Sequence, residues 1–196
     1  MESRVIGIDL AGSQRRITGL CSLGSDLSCE LARAKLDDEI LAFIQERRPK
    51  LIAIDAPLSF PAGGENLRRC DRELVKMGVR PLPPGLGPMR MLTERGIRLR
   101  RILEGLGYKV IEVFPTGAQK VLGLPSKRDL KALRLGLISL GIKGIPEDVD
   151  VHLLDAVTCA LVGVSYLKGE FVKVGDEREG VIIMPKPSLP EGRSPR

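Results

Sequence analysis

Two short apolar stretches, VIGID at residues 5–9 and LIAID at residues 51–55, each end in an aspartate. Short apolar runs bounded by turn signals are typical of buried strands, and the first run is followed by Ala-Gly-Ser at 11–13. A carboxylate at the end of a buried strand is costly unless it is paired or binds a cation. If the two strands are parallel neighbours, Asp9 and Asp55 meet at one edge of the sheet, where α/β proteins place their ligands. These stretches therefore predict both the sheet and the position of a site.

The patterns around these two strands alternate between strand and helix. Two strands separated by a Gly-Ser-Asp break follow the first one, and helical spacing of apolar residues comes next. Asp37 is a candidate N-cap for that helix, and Pro49 ends it. This order predicts an α/β fold with a mixed sheet and flanking helices. The predicted strands are 5–9, 16–23, 27–34, 50–55 and 108–114, with a C-terminal hairpin at 171–174 and 180–184, and the predicted helices are 37–47, 67–77, 90–106, 117–122, 128–140 and 151–166.

The length of 196 residues is that of one domain. We expect a single domain over residues 1–185, with a helical insertion at 56–107, followed by a flexible proline-rich tail at 186–196. No apolar run approaches the roughly 18 residues that a membrane-spanning helix needs. Because the N-terminus also lacks the layout of a signal peptide, we expect a cytoplasmic protein without membrane contact.

The composition argues against two classes of site. Aromatic residues make up only 3% of the chain, which disfavours modules that stack bases on aromatic side chains. The four cysteines form no C-x-x-C pair and there is one histidine, so a structural zinc site is not expected. One Asn and three Gln beside many Arg and Glu are typical of a heat-adapted protein, which indicates a thermophile as the source.

Positive charge is concentrated in one stretch of the chain. The protein carries 31 Lys and Arg against 25 Asp and Glu, a net charge of +6. Between residues 68 and 101, nine Arg and one Lys stand against three acidic residues, so this stretch carries +7 and the rest of the chain −1. Arg pairs well with phosphate, so the stretch predicts a surface that binds polyanions. A solvated, Arg-rich helix surface explains the same charge without a partner.

Two further acids lie in apolar surroundings. Glu112 is inside the strand pattern VIEVF, and Asp155 is inside the helix pattern VHLLDAVTCALVG. Ionised side chains are rarely buried without a partner. With Asp9 and Asp55, they form a group of candidate ligands, and oxygen-only ligands favour Mg²⁺ or Mn²⁺. Each acid also has a purely structural explanation, because it could cap a turn or a strand end, face outward, or bind a loop or an Arg.

The acids predict metal-dependent hydrolysis. Two divalent ions about 4 Å apart can activate a water and stabilise the leaving oxygen in phosphodiester hydrolysis. We therefore expect Asp9, Asp55 and Asp155 to be catalytic residues. The same three residues and Glu112 are the expected metal ligands.

The basic stretch predicts how a nucleic acid, DNA or RNA, is attracted to these acids. We expect Arg90, Arg95 and Arg98 to contact its phosphates, with binding that weakens steeply as salt increases. Two residues are accessory candidates. They are Asp71 and His152, and His152 is expected to form a local hydrogen bond rather than to bind metal.

Seven motifs together resemble the domain-of-unknown-function family 429, over about residues 5–185. They are IGIDLAGS, IAIDAPLSFP, CDRELVKMG, MRMLTERG, VIEVFPTGA, HLLDAVTCALVG and EGVIIMP. That family is taken to consist of predicted nucleases with a ribonuclease H-like fold. The resemblance implies a mixed five-stranded sheet with flanking helices and a helical, basic insertion after the fourth strand.

The resemblance also implies roles for individual residues. Asp9, Asp55 and Asp155 stand where ribonuclease H-like enzymes hold their metal ligands. The chain is similar, too, to Holliday-junction resolvases of that fold, in its Asp-ending strands and its late helical Asp-Ala. Those resolvases often carry a second acid one turn before the helical Asp, and this chain has His152 there. A junction substrate would favour a homodimer by symmetry.

Two other functions compete with the nuclease. IGIDLAGS resembles the nucleotide-phosphate loop of actin and sugar kinases, which predicts a phosphotransferase, although those proteins need two such domains. The other alternative is a non-catalytic nucleic-acid-binding module of the same fold, which would keep the basic stretch and leave the acids without a purpose.

Overall fold

The computed structural model describes residues 3–187 and has a mixed seven-stranded sheet with helices on both faces. The strands are β1 (Arg4–Asp9), β2 (Thr18–Gly24), β3 (Cys29–Ala34), β4 (Leu51–Asp55), β5 (Val110–Val113), β6 (Phe171–Asp176) and β7 (Gly180–Pro185). The helices are α1 (Asp37–Arg47), α2 (Arg69–Lys76), α3 (Pro88–Gly105), α4 (Pro115–Val121), α5 (Leu130–Ser139) and α6 (Val151–Leu167). The strand order across the sheet is β3-β2-β1-β4-β5-β7-β6.

The sheet has seven strands and not the expected five. The two additional strands are β6 and β7, the C-terminal hairpin, which is part of the main sheet. Strand β7 pairs in parallel with β5 through Glu112–Ile182 and Val113–Ile183. Ile182, Ile183 and Met184 of β7 are buried in this position, which explains why the hairpin extends the sheet.

The two Asp-ending strands are parallel neighbours at the centre of the sheet. The register of β1 and β4 places Asp9 directly beside Asp55. Side chains of a strand alternate between the two faces of a sheet, so Val5 packs on one face with α6, while Ile6 and Ile8 pack on the other with α1 and α3. Both faces are therefore covered, and the carboxyl ends of β1 and β4 form one edge.

Helix α6 lies very close to β1. A Cβ atom added to Gly7 would lie 2.0 Å from the carbonyl oxygen of Ala156 and 2.4 Å from the nitrogen of Ala160. Only glycine permits such an approach of two backbones. This contact fixes the height of the first turns of α6 relative to the end of β1.

The segment between β4 and β5 contains the expected helical insertion, built from α2 and α3. Each helix packs on a different part of the molecule: α2 lies against the β6–β7 hairpin through Cys70 and Leu74, and α3 lies against the sheet through Leu99 and Leu103.

No helix in the part of the chain from residue 3 to residue 187 is both long and apolar enough to cross a membrane. The predicted tail lies, from residue 188 onward, outside the described residues.

Candidate metal centre

Three carboxylates meet at the edge formed by β1 and β4. Asp9 ends β1, Asp55 ends β4 and Asp155 is on the second turn of α6, and one oxygen from each lies within 4.8 Å of the other two. Asp155 is buried, and Asp9 and Asp55 are partly buried. The structure thus brings together three of the four expected ligands.

The start of α6 is fixed by its own N-cap, which orients Asp155. The Asp150 side chain accepts a hydrogen bond from the backbone nitrogen of Leu153 at 2.9 Å. It also accepts one from Arg33 at 2.8 Å, which ties the helix start to β3. Capping and the tight contact at Gly7 therefore set the position of Asp155 from two sides.

The electrostatics of this group disfavour three negative charges. Burial, and then the charges of Asp9 and Asp155, raise the pKa of Asp55 well above its ordinary value of 3.8. Burial and the charge of Asp155 also raise the pKa of Asp9, although His152 opposes this shift. A bound cation would offset both causes of these shifts, because it stabilises the ionised form of each buried carboxylate and compensates their mutual repulsion.

Asp55 has no partner that compensates its burial directly. No hydrogen bond from any residue between 3 and 187 reaches its carboxylate, and a buried carboxylate without hydrogen bonds is costly. Three carboxylate donors, one of them without a hydrogen bond, fit a hard divalent cation that prefers oxygen ligands. The donor set contains neither His nitrogen nor Cys sulfur, so it favours Mg²⁺ or Mn²⁺ over zinc.

Asp155 has two polar contacts that the sequence did not predict. The Nζ atom of Lys127 donates to Oδ2 at 2.5 Å, and the Nε2 atom of Gln119 donates to Oδ1 at 2.9 Å. Gln119 also donates to Thr158 one turn further along α6. Lys127 lies in the loop between α4 and α5 and Gln119 in the short helix α4, where no residue spacing indicated a role.

His152 forms the expected local hydrogen bond. Its Nδ1 atom lies 2.6 Å from Oδ2 of Asp9, and about half of the side chain is exposed. The imidazole thus occupies one oxygen of Asp9 and leaves the other for a different partner.

Glu112 and Asp71 are not part of the carboxylate group. Both bind the buried guanidinium of Arg68, whose Nη2 atom lies 2.6 Å from Oε1 of Glu112 and 2.9 Å from Oδ1 of Asp71. Glu112 also accepts a hydrogen bond from the backbone nitrogen of Leu58. This corrects the expectation that Glu112 is a fourth ligand: its charge is balanced by an Arg of the insertion.

The arginines expected to contact phosphates are engaged within the protein. Arg95 is buried, and its guanidinium donates to Asp37 at 2.8 Å and to the carbonyl oxygens of Ala11 at 2.7 Å and Lys35 at 2.8 Å. This corrects the expectation for Arg95, which joins α3 to α1 and to the loop after β1 instead of facing a ligand. The other two remain exposed, but Arg90 pairs with Glu94 and Arg98 with Asp37.

A cavity of about 800 Å³ adjoins the carboxylates. Asp9 and His152 line it together with residues of the loop at 10–17 and of the first turns of α3. The insertion therefore reaches the site with the start of α3.

Comparisons with known proteins place the chain in a wider group. The family described as "Protein of unknown function (DUF429)" matches it over residues 7–180. No curated protein matches it significantly.

Solved structures show which fold the chain shares. The structure of RuvC from Thermus thermophilus matches with a TM-score of 0.51 and 18% identity, covering 85% of this chain and 96% of that chain. The T. thermophilus RuvC in complex with a Holliday junction substrate matches with a TM-score of 0.50, 17% identity and the same coverage. The chain therefore has a mixed α/β fold similar to that of RuvC.

Proposed function

The chain belongs to the protein family DUF429, as its motifs predicted, and we propose that it is a divalent-metal-dependent nuclease that hydrolyses phosphodiester bonds of a structured nucleic acid. The observation that carries the proposal is the group of Asp9, Asp55 and Asp155, with one oxygen of each within 4.8 Å of the others. The similar fold of RuvC, solved with a Holliday junction substrate, supports a ribonuclease H-like nuclease over other hydrolases.

Asp9, Asp55 and Asp155 would hold Mg²⁺ or Mn²⁺. Such ions, when bound, supply Lewis-acid catalysis: they lower the pKa of water and stabilise charge on phosphoryl oxygens. The residues around the acids do the positioning. His152 holds one oxygen of Asp9, and Gln119 and Lys127 hold the two oxygens of Asp155.

Lys127 has a second role in this proposal. Its side chain is about one-quarter exposed, and its ammonium group contacts Asp155. It reduces the negative potential that an approaching phosphate meets and can donate a hydrogen bond to a phosphate oxygen.

The proposal is tested with purified protein, Mn²⁺ and a panel of single-stranded, duplex and branched DNA and RNA. We expect Asp9→Asn to lower the cleavage rate by roughly a hundredfold or more, because the substitution removes a pre-organised charge. The matched control is Asp148→Asn, because Asp148 is exposed and lies outside the carboxylate group. Equal cleavage by the wild type and Asp9→Asn would refute the site. A homodimer, which fits a junction of two-fold symmetry, stays a prediction that sedimentation velocity can test.

A further inference from the structure

The cavity beside Asp9 has two chemically different walls. Along α3, its surface is apolar and includes Met89, Met91 and Leu92. Along the loop at 10–17, it carries Arg15 and Arg16, and Lys35 also lines it. A pocket with an apolar surface and a few placed polar groups is the usual form of a small-ligand site.

The cations of this cavity differ from those of the insertion. Neither Arg15 nor Arg16 forms an ion pair or a side-chain hydrogen bond with any residue between 3 and 187, and both are exposed. In the stretch 68–101, by contrast, seven of the nine arginines are ion-paired; these are Arg68, Arg69, Arg72, Arg90, Arg95, Arg98 and Arg100. The two arginines that line the cavity without an ion pair are therefore both on the loop after β1.

The loop that carries these cations is fixed in place. The backbone nitrogen of Ala11 donates to Oγ1 of Thr18 at 3.1 Å, and its carbonyl oxygen accepts from buried Arg95 at 2.7 Å. A Cβ atom on Gly12 would lie 3.4 Å from the backbone nitrogen of Leu92, so the loop and α3 are in contact. The two walls of the cavity are thus held at a fixed separation, which lowers the entropic cost of binding.

We propose that this cavity binds one unstacked nucleotide of the substrate strand, with its base against Met89, Met91 and Leu92 and its phosphates on Arg15 and Arg16. The volume of about 800 Å³ is in the range of roughly 300–1,000 Å³ that holds drug-sized ligands. That space accommodates a nucleotide but not a base-paired duplex. Methionine adapts to flat ligands through its flexible, polarisable thioether, and flipped bases are held by aromatic or apolar side chains.

The position of the cavity determines which nucleotide of the substrate would bind in it. Asp9 belongs both to the cavity and to the carboxylate group, so a nucleotide in the cavity lies next to the phosphate at the proposed metal centre. The substrate class that follows is a nucleic acid with an unpaired or easily unpaired nucleotide beside the cleaved bond, because unstacking a paired base costs a few kcal/mol. The inference rests on the proposed nuclease function for the identity of its ligand.

Binding is measured by fluorescence anisotropy on the whole chain in EDTA, where metal-dependent cleavage does not interfere. The probes are a labelled oligo(dT) strand, a blunt duplex of the same length, and free thymidine monophosphate as competitor. We expect the single strand to bind more tightly than the duplex. A strand carrying 2-aminopurine should gain fluorescence on binding, because its base leaves the stack.

Three variants separate the two walls of the cavity. Replacing both Arg15 and Arg16 by Ala should lower the slope of log affinity against log salt by about 1.4, since single strands contribute about 0.7 per phosphate contact. Met91→Ser should weaken binding of the single strand on the order of fivefold, because it removes apolar surface that covers the base, and it should leave the salt slope unchanged. The matched control replaces Arg101 and Arg178, which are exposed and form no ion pair within residues 3–187, and should leave the slope near that of the wild type.

Equal affinity for single strand and duplex, or equal slopes for the cavity and control variants, would overturn the proposal. If thymidine monophosphate displaced the labelled strand at a concentration equal to that of the strand, the cavity would be a site for a free nucleotide and not for a nucleotide of a strand. Because the assay reads binding alone, a protein that binds as expected but cleaves nothing would refute the nuclease and not the cavity.

Discussion

At the scale of single residues, Asp55 is held where its own charge is unfavourable. Its pKa is raised by burial and by two neighbouring carboxylates, and it accepts no hydrogen bond from residues 3–187. Asp55→Asn should therefore abolish cleavage and, in EDTA at neutral pH, raise the free energy of unfolding by roughly 0.5–2 kcal/mol, as removal of a functional strain does. Urea unfolding of both proteins measures this. A loss of stability on this substitution would mean that Asp55 is a structural acid.

The pH dependence of the same group has a defined sign. For Asp9 and Asp55 the folded pKa lies above the ordinary value of 3.8, so the folded protein binds more protons than the unfolded chain between these values. The stability from these groups is then full below about pH 3.8 and is lost as pH rises through the raised pKa.

A divalent cation should restore that lost stability. We expect Mn²⁺ to raise the melting temperature more at pH 8 than at pH 5, because protons compete with the ion for the carboxylates. At a hundredfold excess over its Kd, the stabilisation is about 2.7 kcal/mol, or roughly 5–10 °C for a chain of this size. Differential scanning calorimetry with and without EDTA measures it. A shift that does not depend on pH, or one that persists in Asp55→Asn, would contradict this binding site.

The sequence indicates the members of the group unequally. Asp9, Asp55 and Asp155 could be predicted, because each interrupts an apolar strand or helix whose burial is readable. Glu112 looks the same in sequence but is neutralised by Arg68, which precedes it by more than forty residues. Such a long-range partner has no local signature. Lys127 escaped prediction for the same reason, since a cation in a polar loop is the ordinary case.

At the scale of elements, the contact between α6 and β1 sets the geometry of the centre. The Cβ of Gly7→Ala would meet backbone atoms of α6 at 2.0 and 2.4 Å, whereas the Cβ of Gly163→Ala would meet mainly the Val5 side chain at 2.5 Å. Backbone cannot yield as a side chain can, so we expect Gly7→Ala to cost about 3 kcal/mol or more and Gly163→Ala about 1 kcal/mol.

Gly7→Ala should also impair the site, since it moves α6 and therefore Asp155 away from Asp9. Urea unfolding gives the two stabilities, and titration with Mn²⁺ gives the affinity of whatever fraction folds. Equal costs for the two substitutions would show that α6 moves freely relative to the sheet.

Most elements could be predicted from hydrophobic periodicity, but the extent of the sheet could not. The apolar pattern of residues 180–184 indicates a strand. Its pairing with β5 depends on the edge of the sheet at which the chain arrives after α6. Periodicity carries no information about that edge. The register of β1 and β4 was better constrained, because two short apolar strands of similar pattern end in the same residue type.

At the scale of the whole molecule, the cations behind the net charge of +6 fall into those paired within the protein and those without an ion pair, and a count along the chain does not separate the two. The excess of cations in 68–101 was readable, but half of those ten cations pair with acids elsewhere in the fold and so fasten α2 and α3 to it; these are Arg68, Arg69, Arg72, Arg95 and Arg98. Arg95 and Arg68 are the buried examples. The arginines without an ion pair that line the cavity beside the centre are instead Arg15 and Arg16, two neighbours in the first loop.

The ion pairs and hydrogen bonds of Arg68 predict how the molecule unfolds. Arg68 joins α2 to β5 through Asp71 and Glu112, and also donates to Ser59, which contacts the carbonyl of Glu179 beside β7. We expect Arg68→Ala to lower the free energy of unfolding by roughly 3–5 kcal/mol, since it leaves two buried carboxylates without a partner. The unfolding transition of the wild type should be single, because this network joins the insertion to the sheet.

Thiol labelling in urea tests this expectation with probes already in the chain. Cys70 is buried on α2 and Cys159 is buried on α6, so each reports the opening of its own part. Both should become reactive at the same urea concentration in the wild type and, at a lower concentration, in Arg68→Ala. Arg101→Ala, an exposed substitution on α3, should change stability by less than about 0.5 kcal/mol. Labelling of Cys70 well before Cys159 in the wild type would mean that the insertion opens separately, and the single domain expected over residues 1–185 would then be wrong.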